Sequence, residues 1–70
     1  MNTDTNLIRM ANQIADNFAY LEVTQAAEKT ADHLRRFWSP EMRARAVAMW
    51  VRDQSAFNEI TCAALEMLAP

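Results

Sequence analysis

The 70-residue chain contains no glycine at all, and its only prolines are Pro40 and Pro70. Tight β-hairpin turns depend on glycine for positive φ, so an all-β fold is disfavoured from the outset. The same absence removes the glycine-rich loops that cradle phosphates. Cysteine is nearly missing too: Cys62 stands alone, which forbids an intrachain disulfide and argues against a cysteine-based zinc site. A single unpaired thiol suits a reducing compartment. No apolar stretch approaches the roughly 20 residues needed to span a bilayer. Met1-Asn2-Thr3-Asp4 lacks the basic start and apolar run of a signal peptide. The expectation is a cytoplasmic protein with no membrane partner.

What is present favours helix: alanine, glutamate, arginine, leucine and methionine abound. A chain of this length buries only about 60% of the surface its unfolded form exposes. Well-packed helices, a partner, or both must therefore supply what disulfides and metals do not. The spacing predicts an all-α fold, a small bundle of about four short helices near residues 4–21, 24–38, 40–52 and 55–68, in one helical domain spanning 1–70. In the first, Leu7, Met10, Ala11, Ile14, Phe18 and Leu21 recur at three- and four-residue steps behind an Asp4 or Thr3 cap. In the second, capped by Thr24, the inner stripe is Ala27, Ala31, Leu34 and Trp38, with Thr30 and Phe37 on its flank. Ser39-Pro40-Glu41 is the sharpest local signal. Serine caps, proline sits where its missing N–H costs nothing, and glutamate meets the positive end of the helix dipole. The third helix carries Met42, Ala46, Met49 and Trp50 inward, with Val47 beside them. The fourth, capped by Ser55 or Asp53, carries Phe57, Ile60, Ala64, Met67 and Leu68.

The formal net charge of −2 hides an uneven layout. Residues 1–34 sum to −3, residues 35–52 to +4 and residues 53–70 to −3. Six of the seven cations are arginine, which suits forked, directed contacts. The middle segment is the natural place for an acidic partner surface. Nucleic acid is a poor candidate, because the sequence pI of about 5.2 opposes the basic footprint such a domain needs.

Catalysis finds little support. His33, the only histidine, has Asp32 beside it, but neighbours one apart on a helix do not face each other. Cys62 has no adjacent base to activate it. The nine carboxylates read as caps and solvated faces. No catalytic, cofactor-binding or metal-ligating residue is assigned. Met10, Met42, Met49 and Met67 read as core filler. Phe37, Trp38 and Trp50 share one small core with Phe18, Tyr20 and Phe57, and two readings stay open: part of this aromatic area is left on the surface, where tryptophan with arginine typifies interface hot spots, or Trp38 and Trp50 are ordinary core residues of a tightly packed bundle.

Two blocks carry a resemblance. Leu7-Ile8-Arg9-Met10-Ala11-Asn12-Gln13-Ile14-Ala15-Asp16-Asn17-Phe18 is one, and Ala31-Asp32-His33-Leu34-Arg35-Arg36-Phe37-Trp38-Ser39-Pro40-Glu41-Met42-Arg43 is the other. Together, over roughly residues 5–45, they resemble the delta subunit of bacterial NAD-dependent, molybdenum- or tungsten-containing formate dehydrogenase. The resemblance implies a small non-catalytic accessory subunit without a cofactor of its own. Its partner would be the large catalytic subunit, which carries a pterin-bound metal centre and iron–sulfur clusters, and through it the flavin and iron–sulfur subunits. This chain lacks the cysteines to hold such a cluster. The expected docking surface is Arg35, Arg36, Phe37, Trp38, Pro40, Met42 and Arg43, with Arg9, Asn12 and Gln13 as a second set. Two other readings stay open: a transient chaperone for metal-cofactor insertion, and a free-standing protein-binding module. The isolated chain could also form a homo-oligomer.

Overall fold

A computed structural model describes residues 2–70. It is a bundle of four α-helices: α1 (Thr3–Asp16), α2 (Val23–Phe37), α3 (Pro40–Arg52) and α4 (Glu59–Leu68), with one 3-10 turn at Gln54–Ala56 before α4. The Cα radius of gyration is 10.7 Å, close to the ~11 Å of a fully compacted chain of this length. Among the described residues no helix is long and apolar enough to cross a membrane.

α3 begins and ends where the sequence places it. Ser39 accepts a hydrogen bond from the Met42 N–H at 3.2 Å and Pro40 opens the helix. α1 departs from expectation, stopping at Asp16 rather than continuing to residue 21. Asp16 in the last turn opposes the negative end of the helix dipole, and no basic residue offsets it. The backbone then tightens into three-residue steps, with Phe18 N–H donating to Ala15 O at 3.0 Å and Leu21 N–H to Phe18 O at 3.0 Å. Phe18 and Leu21 are consequently half-buried in a turn, and Met10 is 36% exposed.

The caps also differ. Asn2, not Thr3 or Asp4, caps α1 through the Thr5 N–H. Glu22 occupies the cap position of α2 without a side-chain bond. Asn58 caps α4, accepting from the Thr61 N–H and Thr61 Oγ1, each at 2.8 Å. Phe57 lies before α4 in extended backbone. Of the stripe counted from it, Phe57 and Ala64 are buried, Ile60 and Leu68 are half-buried and Met67 is exposed, while Thr61 and Leu65 are inward positions outside that stripe.

Two kinds of packing hold the bundle. α2 lies chiefly on α4 along a seam of Ala27, Ala31 and Ala64, all fully buried. Side chains that short allow close helix approach. The bulkier cluster joins Leu7, Ala11, Leu34, Trp38, Ala46, Met49, Phe57 and Leu65 across all four helices. Thr30, fully buried, satisfies its hydroxyl on Ala26 O at 2.8 Å. The Trp50 indole N–H is buried without an acceptor among the described residues, a cost on the order of 1–3 kcal/mol.

Candidate partner-binding interface

The bend between α2 and α3 is set by two residues. Trp38 leaves the helix with φ −96° and ψ 143°, and Ser39 follows at φ −66° and ψ 158°. Proline after Ser39 disfavours a helical conformation there, so the chain must turn. The turn strands backbone carbonyls at the end of α2, and Arg43 reaches back to them. Its Nη1 donates to Trp38 O at 2.6 Å and Arg35 O at 3.1 Å, and lies 3.5 Å from Leu34 O. A cation at the negative end of a helix dipole is favourable. The half-buried Arg43 is thus a brace inside the corner rather than a cation held out to a partner.

Trp38 also departs from expectation as a surface anchor. It is 6% exposed and belongs to the core cluster, because the inner stripe of Ala27, Ala31 and Leu34 carries on to position 38. Met42 is half-buried against the same cluster. Phe37, one residue earlier, points the other way and is 69% exposed. Its ring tilts at 45° against His33, centroids 4.7 Å apart, which steadies it on the surface. Arg36 pairs with Asp32 at 3.3 Å on the exposed side of α2. Arg35 extends to Met67 O at 3.4 Å, at the end of α4. Pro40 is exposed. Phe37, Arg35, Arg36 and Pro40 therefore form the outward part of the corner, while Trp38, Met42 and Arg43 support it from below.

The second set divides likewise. Asn12 is a staple: its Nδ2 donates to Ala56 O at 3.1 Å, and its Oδ1 accepts from the Asn58 N–H at 3.0 Å. It fixes the entry of α4 onto α1. Arg9 is exposed and bonds Asn6 Oδ1 at 3.1 Å, and Gln13 is exposed. Among the described residues no hydrogen bond or ion pair ties Arg9 or Gln13 to the corner.

His33 is half-buried beneath Phe37, and Cys62 Sγ, also half-buried, lies 3.5 Å from Gln54 O and 3.6 Å from Phe57 O. Among the described residues no three His, Cys, Asp or Glu side chains converge as a metal site would require.

One surface escaped the sequence reading. A groove of 380 Å³ runs along the outer side of α3, lined by Pro40, Arg43, Ala44, Val47, Ala48, Leu68 and Pro70. Its signal was available, since Pro40, Ala44, Val47, Ala48 and Val51 follow a second helical stripe beside the one assigned to the core.

A family model described as NADH-dependent formate dehydrogenase delta subunit FdsD matches residues 6–65. The match takes in both of the quoted blocks and runs some way past residue 45. No curated protein and no solved structure matches the chain.

Proposed function

The chain belongs to the NADH-dependent formate dehydrogenase delta subunit family, and from that premise we propose that it is a non-catalytic accessory subunit acting in the cytoplasm. It docks on the large catalytic subunit of an NAD-dependent formate dehydrogenase and supports assembly or stability of the complex. Formate oxidation belongs to that large subunit and its molybdenum or tungsten centre, and flavin and NAD chemistry to further subunits. This chain contributes binding energy alone. A ligand that binds only the assembled form stabilises it by mass action, by about 2.7 kcal/mol at a hundredfold excess over the dissociation constant.

The family match carries this reading, and the outward corner supports it. Phe37 is a large apolar side chain at 69% exposure, on the corner that the half-buried Arg43 braces. Burying such a ring against a partner is worth about 1.5–3 kcal/mol. Arg35 and Arg36 flank it on α2 with forked donors, and Pro40 gives the patch a rigid edge. Arg9 and Gln13 provide a second, separate contact.

Co-expression with the large catalytic subunit tests the proposal. The chain should remain at a fixed ratio in active enzyme through successive purification steps, and Phe37→Asp should lower that ratio while leaving the isolated chain folded. Loss of the chain from active enzyme would favour the transient chaperone. Full retention of a Phe37→Asp, Arg36→Glu double variant would remove the corner as the docking surface.

A further inference from the structure

The end of α2 away from the Phe37 corner has a different character. At about 1.5 Å per residue, the 15 residues of α2 set its two ends about 21 Å apart. Here α1 has ended, α2 and α4 begin, and a groove of 280 Å³ lies between them. Ala19, Leu21, Val23 and Ile60 give it apolar walls, and the exposed Asp16 and Glu59 line the same groove. Tyr20, between two of the wall residues, is 81% exposed, and Val23 is 40% exposed. Glu22, also exposed, adjoins them in the chain. Residues 10–28 and 53–70 contain six carboxylates and no cation.

Helix physics accounts for only part of this charge. Glu59, in the first turn of α4, meets a positive helix end. Glu22 stands at the cap position of α2 yet makes no cap bond, where Ser, Thr, Asp or Asn would make one. Asp16, in the last turn of α1, opposes the dipole outright. It accepts one hydrogen bond, from Asn58 Nδ2 at 3.3 Å. Among the described residues none of the three carboxylates makes an ion pair; the pairs present are Arg36 with Asp32 and Arg45 with Asp4. Lys29, farther along α2, lines an adjoining hollow with Glu28 and Asp32, and Arg9 is bonded to Asn6. A residue that breaks a local rule without a compensating contact marks a site that serves something other than the fold.

We propose that this end of the bundle receives a cationic segment of a partner subunit, with an arginine or lysine whose aliphatic stem lies on the apolar walls and whose head group meets Asp16, Glu22 and Glu59. Long cationic side chains bury the stem on apolar surface and keep the head among polar groups. The exposed Tyr20 ring offers a face to the same cation. A metal ion does not fit, since among the described residues no three His, Cys, Asp or Glu side chains converge. Nucleic acid and an anionic lipid surface carry the same sign as the groove and are repelled. A second copy of this chain fits less well, because its outward cations come with carboxylates. Arg36 is paired with Asp32, Glu41 stands in the first turn of α3, and Glu66 adjoins Met67, whose carbonyl Arg35 holds. The inference rests on the accessory-subunit reading for the source of the segment, and uses a surface separate from the Phe37 corner.

The test uses the co-expressed complex. The double variant Asp16→Lys, Glu59→Lys should lower retention of the chain about tenfold or more. Asp16→Asn removes the charge and keeps an acceptor for Asn58. It should lower retention about threefold, while the isolated chain unfolds at or above the wild-type temperature because an unfavourable dipole contact is gone. A lower unfolding temperature with unchanged retention would make Asp16 a structural residue and overturn the proposal. A photo-cross-linking side chain in place of Tyr20 should link to an arginine- or lysine-bearing segment of another subunit, mapped by peptide mass analysis. Reversing that cation to glutamate in the partner should restore retention of the double variant. Links only between two copies, or no restoration, would also overturn the proposal. Should the double variant fold poorly, Asp16→Asn and the cross-link decide the matter. Wild-type retention of Asp16→Asn and of the double variant alongside loss of Phe37→Asp would sink this surface and keep the accessory reading. Absence of the wild-type chain from the complex would sink both.

Discussion

Phe37 and Trp38 are adjacent aromatics in one motif, yet they belong to different regions of the molecule. Trp38 is 6% exposed, inside the corner, where Arg43 holds its carbonyl and Ser39 starts the next helix. Phe37 is 69% exposed, outside the corner, with only His33 beneath it. The inner region determines whether the bend exists. The outer region determines what the bend presents. The core and the exposed face are thus served by neighbouring residues that can be changed one at a time, and under the proposed docking role recognition falls to Phe37.

The largest expected effect falls inside. Trp38→Ala should cost about 3–5 kcal/mol. In a domain this small that lowers the thermal midpoint by more than about 12 °C, measurable by far-ultraviolet circular dichroism. Arg43→Met comes next. It leaves the carbonyls of Arg35 and Trp38 to solvent and removes the dipole contact, so a loss of about 1.5–3 kcal/mol is expected in urea denaturation. Ser39→Ala removes one cap and should cost about 1 kcal/mol by the same measurement. Phe37→Ala is the smallest, within about 0.5 kcal/mol of wild type, although retention in the complex falls. A Phe37→Ala cost matching that of Trp38→Ala would erase the distinction between the two regions. A stable but non-binding Phe37→Ala would sharpen it.

Much of the fold was legible wherever local chemistry alone decides it. Ser39-Pro40-Glu41 set the start of α3 because cap, fixed φ and dipole agree at one place. The all-helical composition and the α2 stripe Ala27, Ala31, Leu34 were equally plain, and all three residues are buried. Local pattern failed where tertiary contact overrides it. Phe18 and Leu21 continue the helical spacing of α1 while the backbone has already turned. Phe57 was counted as helical, although it is extended, and Leu65 lay outside the stripe counted from it. At the candidate interface, residue type suggested surface aromatics and cations without saying which. The period already placed Trp38 on the inner stripe, and that signal outweighed the motif. The inward turn of Arg43 and the Asn12 staple had no local signature, because their acceptors lie on other elements.

The absence of glycine reaches beyond the folded form. No described residue has positive φ, so the bends are made by ordinary extended residues such as Trp38, Ser39 and Asp53. Every link in the chain carries a Cβ, and the denatured ensemble wanders over fewer conformers than one loosened by glycine. Ordering it surrenders less disorder per residue. With a topology of short neighbouring rods, the chain should collapse to its native shape within microseconds to milliseconds, so a newly made copy spends little time as an open strand before a larger protein can take hold of it.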